Sequence, residues 1–254
     1  MLGQVIGPIV GSFLAQTLSY EYSFYASSTL SLVLAGFVLW SFPIDTRHRE
    51  KNRETKILSG LKFVLNLRSA RLLFLAALLI FIGRALVIAF LPLYASSIIN
   101  MSTIQVGLLF AALSATELIS MPALGWLSDR FGVKRTAVLS YTVSAFLFLL
   151  YFQAKTIYQV FLVSIALGVG LSGLFVLLAL IPTVAPRGTY GKVIGVYGSF
   201  EDLGIMIGPL IFGFVWSAYG PVYIFAVAAL AQILAGFLVL RIGREKTAIG
   251  TGTM

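Results

Sequence analysis

Eight apolar runs set the limits on what this chain can fold into. They cover residues 2–18, 24–42, 72–94, 106–124, 137–153, 158–181, 193–215 and 222–240. Each is long enough, or nearly so, to cross the ~30 Å apolar layer of a bilayer. The runs mix Leu, Val, Ala, Phe and Gly without period-two alternation, which favours helices over barrel strands. With 59% hydrophobic and 11% charged residues, the chain is too apolar for a soluble domain. The expected fold is an all-α helical membrane bundle of about eight spans, and the first partner is the lipid bilayer. The run at 2–18 is not read as a cleaved signal, because no basic region precedes it and Pro8 and Gln16 fit that role poorly.

The formal net charge of +9 raises the question of nucleic acid, and the placement of the charges excludes it. The segment 43–71 holds Arg47, Arg49, Lys51, Arg53, Lys56, Lys62, Arg68 and Arg71. Arg130, Lys134 and Arg135 follow the fourth run, Arg187 and Lys192 precede the seventh, and Arg241, Arg244 and Lys246 close the chain. The intervening connections carry only Lys155. Basic residues concentrated in alternate connections mark the cytoplasmic side of a membrane protein. Both termini are therefore expected in the cytoplasm, with the plasma membrane as location. Tyr20, Tyr22, Tyr94 and Tyr219 fall near the opposite ends, where aromatic belts form. Cysteine is absent, which removes disulfides and thiolate metal sites, and no cofactor or metal is implied.

The segment Gly125-Trp126-Leu127-Ser128-Asp129-Arg130-Phe131-Gly132-Val133-Lys134-Arg135 is read as a polar loop between the fourth and fifth runs. Gly125 lets a helix end approach a neighbour and Gly132 permits a tight reversal. Asp129 is suited to accept from orphan N–H groups at an adjacent helix start or to pair with Arg, and Lys134 and Arg135 suit lipid phosphates. The string resembles the signature loop of the major facilitator superfamily of transporters. That resemblance implies a conformational-switch role for Gly125, Asp129, Arg130, Gly132, Lys134 and Arg135.

A repeat supports the resemblance. The first run reads Gly3-x-x-x-Gly7-Pro8-x-x-Gly11, and the seventh reads Gly204-x-x-x-Gly208-Pro209 with Gly213 beyond. Leu34-Ala35-Gly36-Phe37 and Leu234-Ala235-Gly236-Phe237 follow at the same offset of ~200 residues, which points to duplication. Glycines four apart open a groove where two helix backbones can touch. With Gly195 ahead of it, the seventh run is similar to the fifth-helix motif of the family's proton-linked exporters, and the first run to a shortened copy. The resemblance implies two six-helix halves. On that plan residues 1–43 hold the last two helices of an N-terminal half, 44–71 the linker and 72–254 the C-terminal half with a short cytoplasmic tail. The first four of twelve helices then have no counterpart, so a missing N-terminal segment is expected, with a genuine eight-span protein as the alternative. Within 46–68, Ile57, Leu58, Leu61, Val64 and Leu65 recur at helical spacing among Lys and Arg, as in an amphipathic helix on the membrane surface. His48, among Arg and Glu, is read as a solvated loop residue.

Arg84, Glu117, Glu201 and Asp202 lie inside runs and are the candidate proton and substrate groups. At ~1.5 Å per residue, all four fall toward the midplane, where ionisable groups line cavities, pair or relay protons. Arg84 and Glu117, on consecutive helices, are placed to pair. Glu117 and Asp202 are preferred as the protonating carboxylate. Glu201, beside Gly204 and Gly208, is expected in packing or capping. The family implies a small-molecule substrate, coupled protons and export by alternating access, with uptake of an organic solute or a non-transporting sensor or scaffold as alternatives. An enzyme is not expected, since no metal-spaced acid cluster and no nucleophile with a His is present.

Overall fold

The computed structural model describes residues 2–41, 67–185 and 189–243. The amphipathic-linker reading, His48, Arg187 and the end of the tail lie outside the described residues. Eight helices follow one another, with no strand among the described residues. They are α1 (Leu2–Thr17) and α2 (Tyr20–Ser41), then α3 (Arg68–Ser97), α4 (Thr103–Phe131), α5 (Val133–Leu150), α6 (Ile157–Val184), α7 (Tyr190–Tyr219) and α8 (Tyr223–Arg241). Seven are long and apolar enough to cross a membrane; α1, at 16 residues, is shorter.

Helix starts and stops follow the local chemistry. Ser102 with Gln105, and Thr156 with Gln159, form reciprocal capping boxes at the starts of α4 and α6. Gly220 (φ 108°) ends α7 and Gly132 (φ 93°) ends α4, a backbone region closed to side chains with a Cβ. The expected loop at 125–135 is corrected here. Nothing from Trp126 to Phe131 breaks a helix, so α4 runs on to Phe131 and Gly132 alone separates it from α5. Proline marks the irregular stretches. Pro92 cannot donate to the Ile88 carbonyl, and α3 widens to a π-helical turn at Leu86–Phe90 just ahead of it. Before Pro182, α6 breaks into the segments Gly173–Leu178 and Ile181–Val184.

Helices α3 to α8 form the core. α3 packs against α7 and α8, α5 against α8, and α6 against α4 and α5. One buried cluster centres on the Tyr94, Tyr151 and Phe225 rings, the last two stacked at 4.3 Å. A second, toward the basic end, holds Phe74, Tyr141 and Tyr197, with Phe74 stacked on Phe200 at 5.4 Å. Outside this unit, α1 packs on α4 and α2 on α1. No residue of α2 is buried, and Trp40 is 84% exposed. A helix this exposed, apolar along most of its length but carrying Glu21 and several serines, suits lipid or another protein surface.

Among the described residues the glycine motif makes a close helix contact in one copy only. A Cβ on Gly204 would stand 2.6 Å from the Leu78 carbonyl oxygen, and one on Gly208 would overlap the Ala85 Cβ. These two glycines let α7 lie against α3. Gly213 comes no nearer than 3.8 Å to Phe90, and Gly195 meets nothing within 4 Å. In α1, Gly3, Gly7 and Gly11 face open space among the described residues. The small residue in that contact stands on the other helix: Gly107 of α4 receives Ser12 and the Pro8 carbonyl.

Candidate functional site

A cavity of about 1070 Å³ opens between α1 and α2 on one side and α3, α4, α6 and α7 on the other. Phe81, Phe110 and Phe175 give its wall an aromatic character, and Gln4, Ser12, Ser114, Arg84 and Glu201 supply the polar groups. Drug-sized ligands occupy cavities of ~300–1,000 Å³ lined by apolar residues with a few convergent polar groups.

The Arg84 side chain reaches from α3 to α4. Its Nη1 donates to both Glu117 carboxylate oxygens at 2.9 Å each. The Arg84 side chain is 13% exposed and that of Glu117 is 0% exposed. Burial of this kind makes each charge depend on the other, since an isolated charge in an apolar interior is very costly. The pairing of Arg84 with Glu117 inferred from consecutive helices is therefore present. The guanidinium stands on the cavity wall, while Glu117 lies behind it and off the wall.

The two adjacent carboxylates of α7 part company. Glu201 is half-buried and lines the cavity; Asp202 is exposed and does not. Consecutive residues on a helix stand ~100° apart, so only one faces the bundle, and Gly204 and Gly208 decide which. They hold one face of α7 against α3, and Glu201 stands one turn from Gly204 and two from Gly208, beside that contact. The Tyr197 hydroxyl, one turn earlier, is buried beside the Glu201 side chain.

The segment from Gly125 to Arg135 lies away from the cavity lining. Asp129 is exposed and makes no hydrogen bond or ion pair among the described residues. Among the described residues Asp129 forms no bond to a helix start or to an Arg, and it sits in the last turn of α4 rather than in a loop. Arg130 lies 5.3 Å from the Trp126 ring and 5.6 Å from the Phe131 ring, in cation–π geometry. Lys134 donates its ammonium to the Ile242 carbonyl at the end of α8. Arg135 and Gly125 are exposed.

Several residues in or near the site have no role assigned to them by the sequence reading. Gln16 accepts from the Ile104 backbone N–H at 3.0 Å, so a side chain of α1 satisfies an orphan donor in the first turn of α4. Gly107 receives α1, and Ser114 lines the cavity. Gln232 is 1% exposed, its amide nitrogen is unpartnered among the described residues, and it abuts Gly83 beside Arg84. A Gln in an otherwise apolar run was the available signal.

An all-helical bundle of membrane-length helices, with polar groups converging on a cavity between two helix sets, defines a polytopic integral membrane protein. Residues 73–252 match the Major Facilitator Superfamily, and the chain belongs to that family of membrane transporters. It is similar to an uncharacterized MFS-type transporter, YuxJ, of Bacillus subtilis (strain 168), at 25% identity over 85% of this chain and 57% of the relative. It also resembles proteins named multidrug resistance protein MdtG. That of Enterobacter lignolyticus (strain SCF1) is 27% identical over 91% of this chain and 56% of its own length. That of Serratia proteamaculans (strain 568) is 28% identical over 91% and 57%. The chain thus spans little more than half the length of the curated relatives it matches.

Proposed function

We propose that the chain serves proton-coupled export of small organic compounds by alternating access, with substrate held in the cavity between α1–α2 and the α3–α8 unit. The observation that carries this reading is the cavity itself, where Arg84 and Glu201 meet an aromatic wall between two helix sets. In transporters built from repeats, substrate sites lie at the junction of the repeats near the midplane, and access alternates as one unit rocks against the other. The organisation consistent with it places residues 1–43 with one unit, 44–71 as linker and 72–254 as the other. Both termini lie in the cytoplasm and the plasma membrane is the location. The printed name of the MdtG relatives supports export of organic compounds over uptake.

Protons enter through a carboxylate. Glu117 is held by Arg84 and Asp202 stands off the wall, which leaves Glu201 as the cavity carboxylate open to exchange. The test is gradient-driven movement of a fluorescent organic dye in proteoliposomes, using the chain with any segment encoded in frame ahead of it. Saturable movement that needs the imposed pH gradient and is lost in Glu201→Gln is expected. Movement indifferent to the gradient overturns proton coupling, and no saturable movement by inserted protein overturns transport.

A further inference from the structure

The charges on the cavity wall do not cancel. Arg84 is bound through both oxygens of Glu117, so the pair contributes little net charge. Glu201 stands on the same wall with no ion-pair partner among the described residues. The rest of the lining holds Phe81, Phe110, Phe175 and aliphatic side chains, with Gln4, Ser12, Tyr20 and Ser114 as neutral polar groups. A carboxylate in such surroundings loses hydration and gains no counter-ion, which is unfavourable until a proton or another cation arrives. Aromatic faces at the same wall attract cations in their own right.

We infer that Glu201 is the counter-ion for a cationic, aromatic organic substrate, and so sets the charge specificity of the cavity. The inference rests on reading the cavity as the substrate site. An anionic substrate would need a guanidinium with charge to spare, and Arg84 is committed to Glu117. A neutral one would draw nothing from the carboxylate's charge and would be accepted equally beside a protonated Glu201. The cavity volume of about 1070 Å³ admits a cation carrying several rings. Asp202, the only other acidic residue of α7, is exposed away from the wall and adds nothing to this site.

The experiment measures saturable binding of three probes of similar bulk to the full chain in zwitterionic nanodiscs. The probes are tetraphenylphosphonium (cationic), triphenylphosphine oxide (neutral) and tetraphenylborate (anionic), each displaced by its unlabelled form to remove lipid partitioning. The cation should bind at least ~10-fold more tightly than the neutral probe, because two unit charges several ångströms apart at reduced dielectric attract by more than that factor requires. Glu201→Gln should erase that preference, Glu201→Asp should retain part of it, and Glu21→Gln on exposed α2 should keep all of it. Circular dichroism of each variant establishes that the helices are intact. Equal affinity for cationic and neutral probes, unmoved by Glu201→Gln, overturns the assignment of Glu201 and leaves the cavity reading standing. Preference for the borate overturns it in favour of Arg84. Saturable binding of none of the three overturns the cavity as a substrate site, and the inference with it.

Discussion

Arg84 and Glu117 are joined by two 2.9 Å hydrogen bonds from a single guanidinium nitrogen, across two helices that otherwise make little approach to each other. Near Arg84, α3 packs on α7 and α8, while α4 packs on α1 and α6. The pair is therefore a strap between two parts of the bundle at the edge of the cavity.

Removing one end of that strap leaves a buried charge, whereas replacing both ends with apolar groups does not. Arg84→Met or Glu117→Gln alone should destabilise the chain by about 3–5 kcal/mol. The double variant Arg84→Met/Glu117→Leu should recover most of that loss. Denaturant unfolding in detergent micelles, followed by Trp fluorescence, measures all three. A double variant as unstable as the sum of the singles would show that the strap itself, rather than the cost of an unpaired charge, holds the helices.

The same contrast separates the glycines. A Cβ at Gly208 overlaps Ala85, and one at Gly204 lies 2.6 Å from a backbone oxygen that has no room to move. Gly204→Ala and Gly208→Ala should each cost about 1–3 kcal/mol through overpacking. Gly7→Ala and Gly195→Ala, with nothing within 4 Å, should stay within about 0.5 kcal/mol of the parent. Unfolding midpoints compared across the four decide the matter. A penalty at Gly7 equal to that at Gly208 would contradict the one-sided use of the repeat.

These glycines also show where sequence reading runs out. Hydropathy and the Lys/Arg pattern are local or additive properties, so the helical class and the order of spans could be read directly. The Arg84–Glu117 pair was legible too, because two opposite charges in an apolar layer have few places to go. A Gly-x-x-x-Gly string states that a close approach is possible, and says nothing of which helix, if any, comes close. Gly107 lay in no repeated motif, yet it takes α1. The choice between Glu201 and Asp202 turned on helix rotation, which is set by the Gly204 and Gly208 contact and only then by charge.

Gly132 carries the reversal between α4 and α5 at φ 93° and ψ 140°. A side chain in that region of backbone space costs about 1–3 kcal/mol, so Gly132→Ala should destabilise by that amount. Gly125→Ala, in open helix surface, should not. Asp129→Asn should leave unfolding unchanged to within about 0.5 kcal/mol, since Asp129 has no partner among the described residues. Thermal unfolding of the three variants measures this. A loss at Asp129 comparable to that at Gly132 would mean that the carboxylate has a partner in the folded chain.

Orientation is the prediction on which the cytoplasmic assignment depends. Basic residues cluster at one end of the helices, including Arg130, Lys134, Arg135 and Lys192, while the connection between α5 and α6 carries only Lys155. Retention of Lys and Arg on the cytoplasmic side then fixes which end faces in. Single cysteines report it cleanly because the parent has none. Ser128, though in the right segment, is 8% exposed and a poor reporter. Asp129→Cys and Lys192→Cys stand on exposed positions of the basic end, and Gln153→Cys on an exposed position of the other. In sealed cells an impermeant maleimide should label Gln153→Cys and spare Asp129→Cys and Lys192→Cys. In inverted vesicles the pattern should reverse, and permeabilisation should label all three. Labelling of Asp129→Cys from outside intact cells would invert the topology, and with it the direction of transport proposed for the cavity.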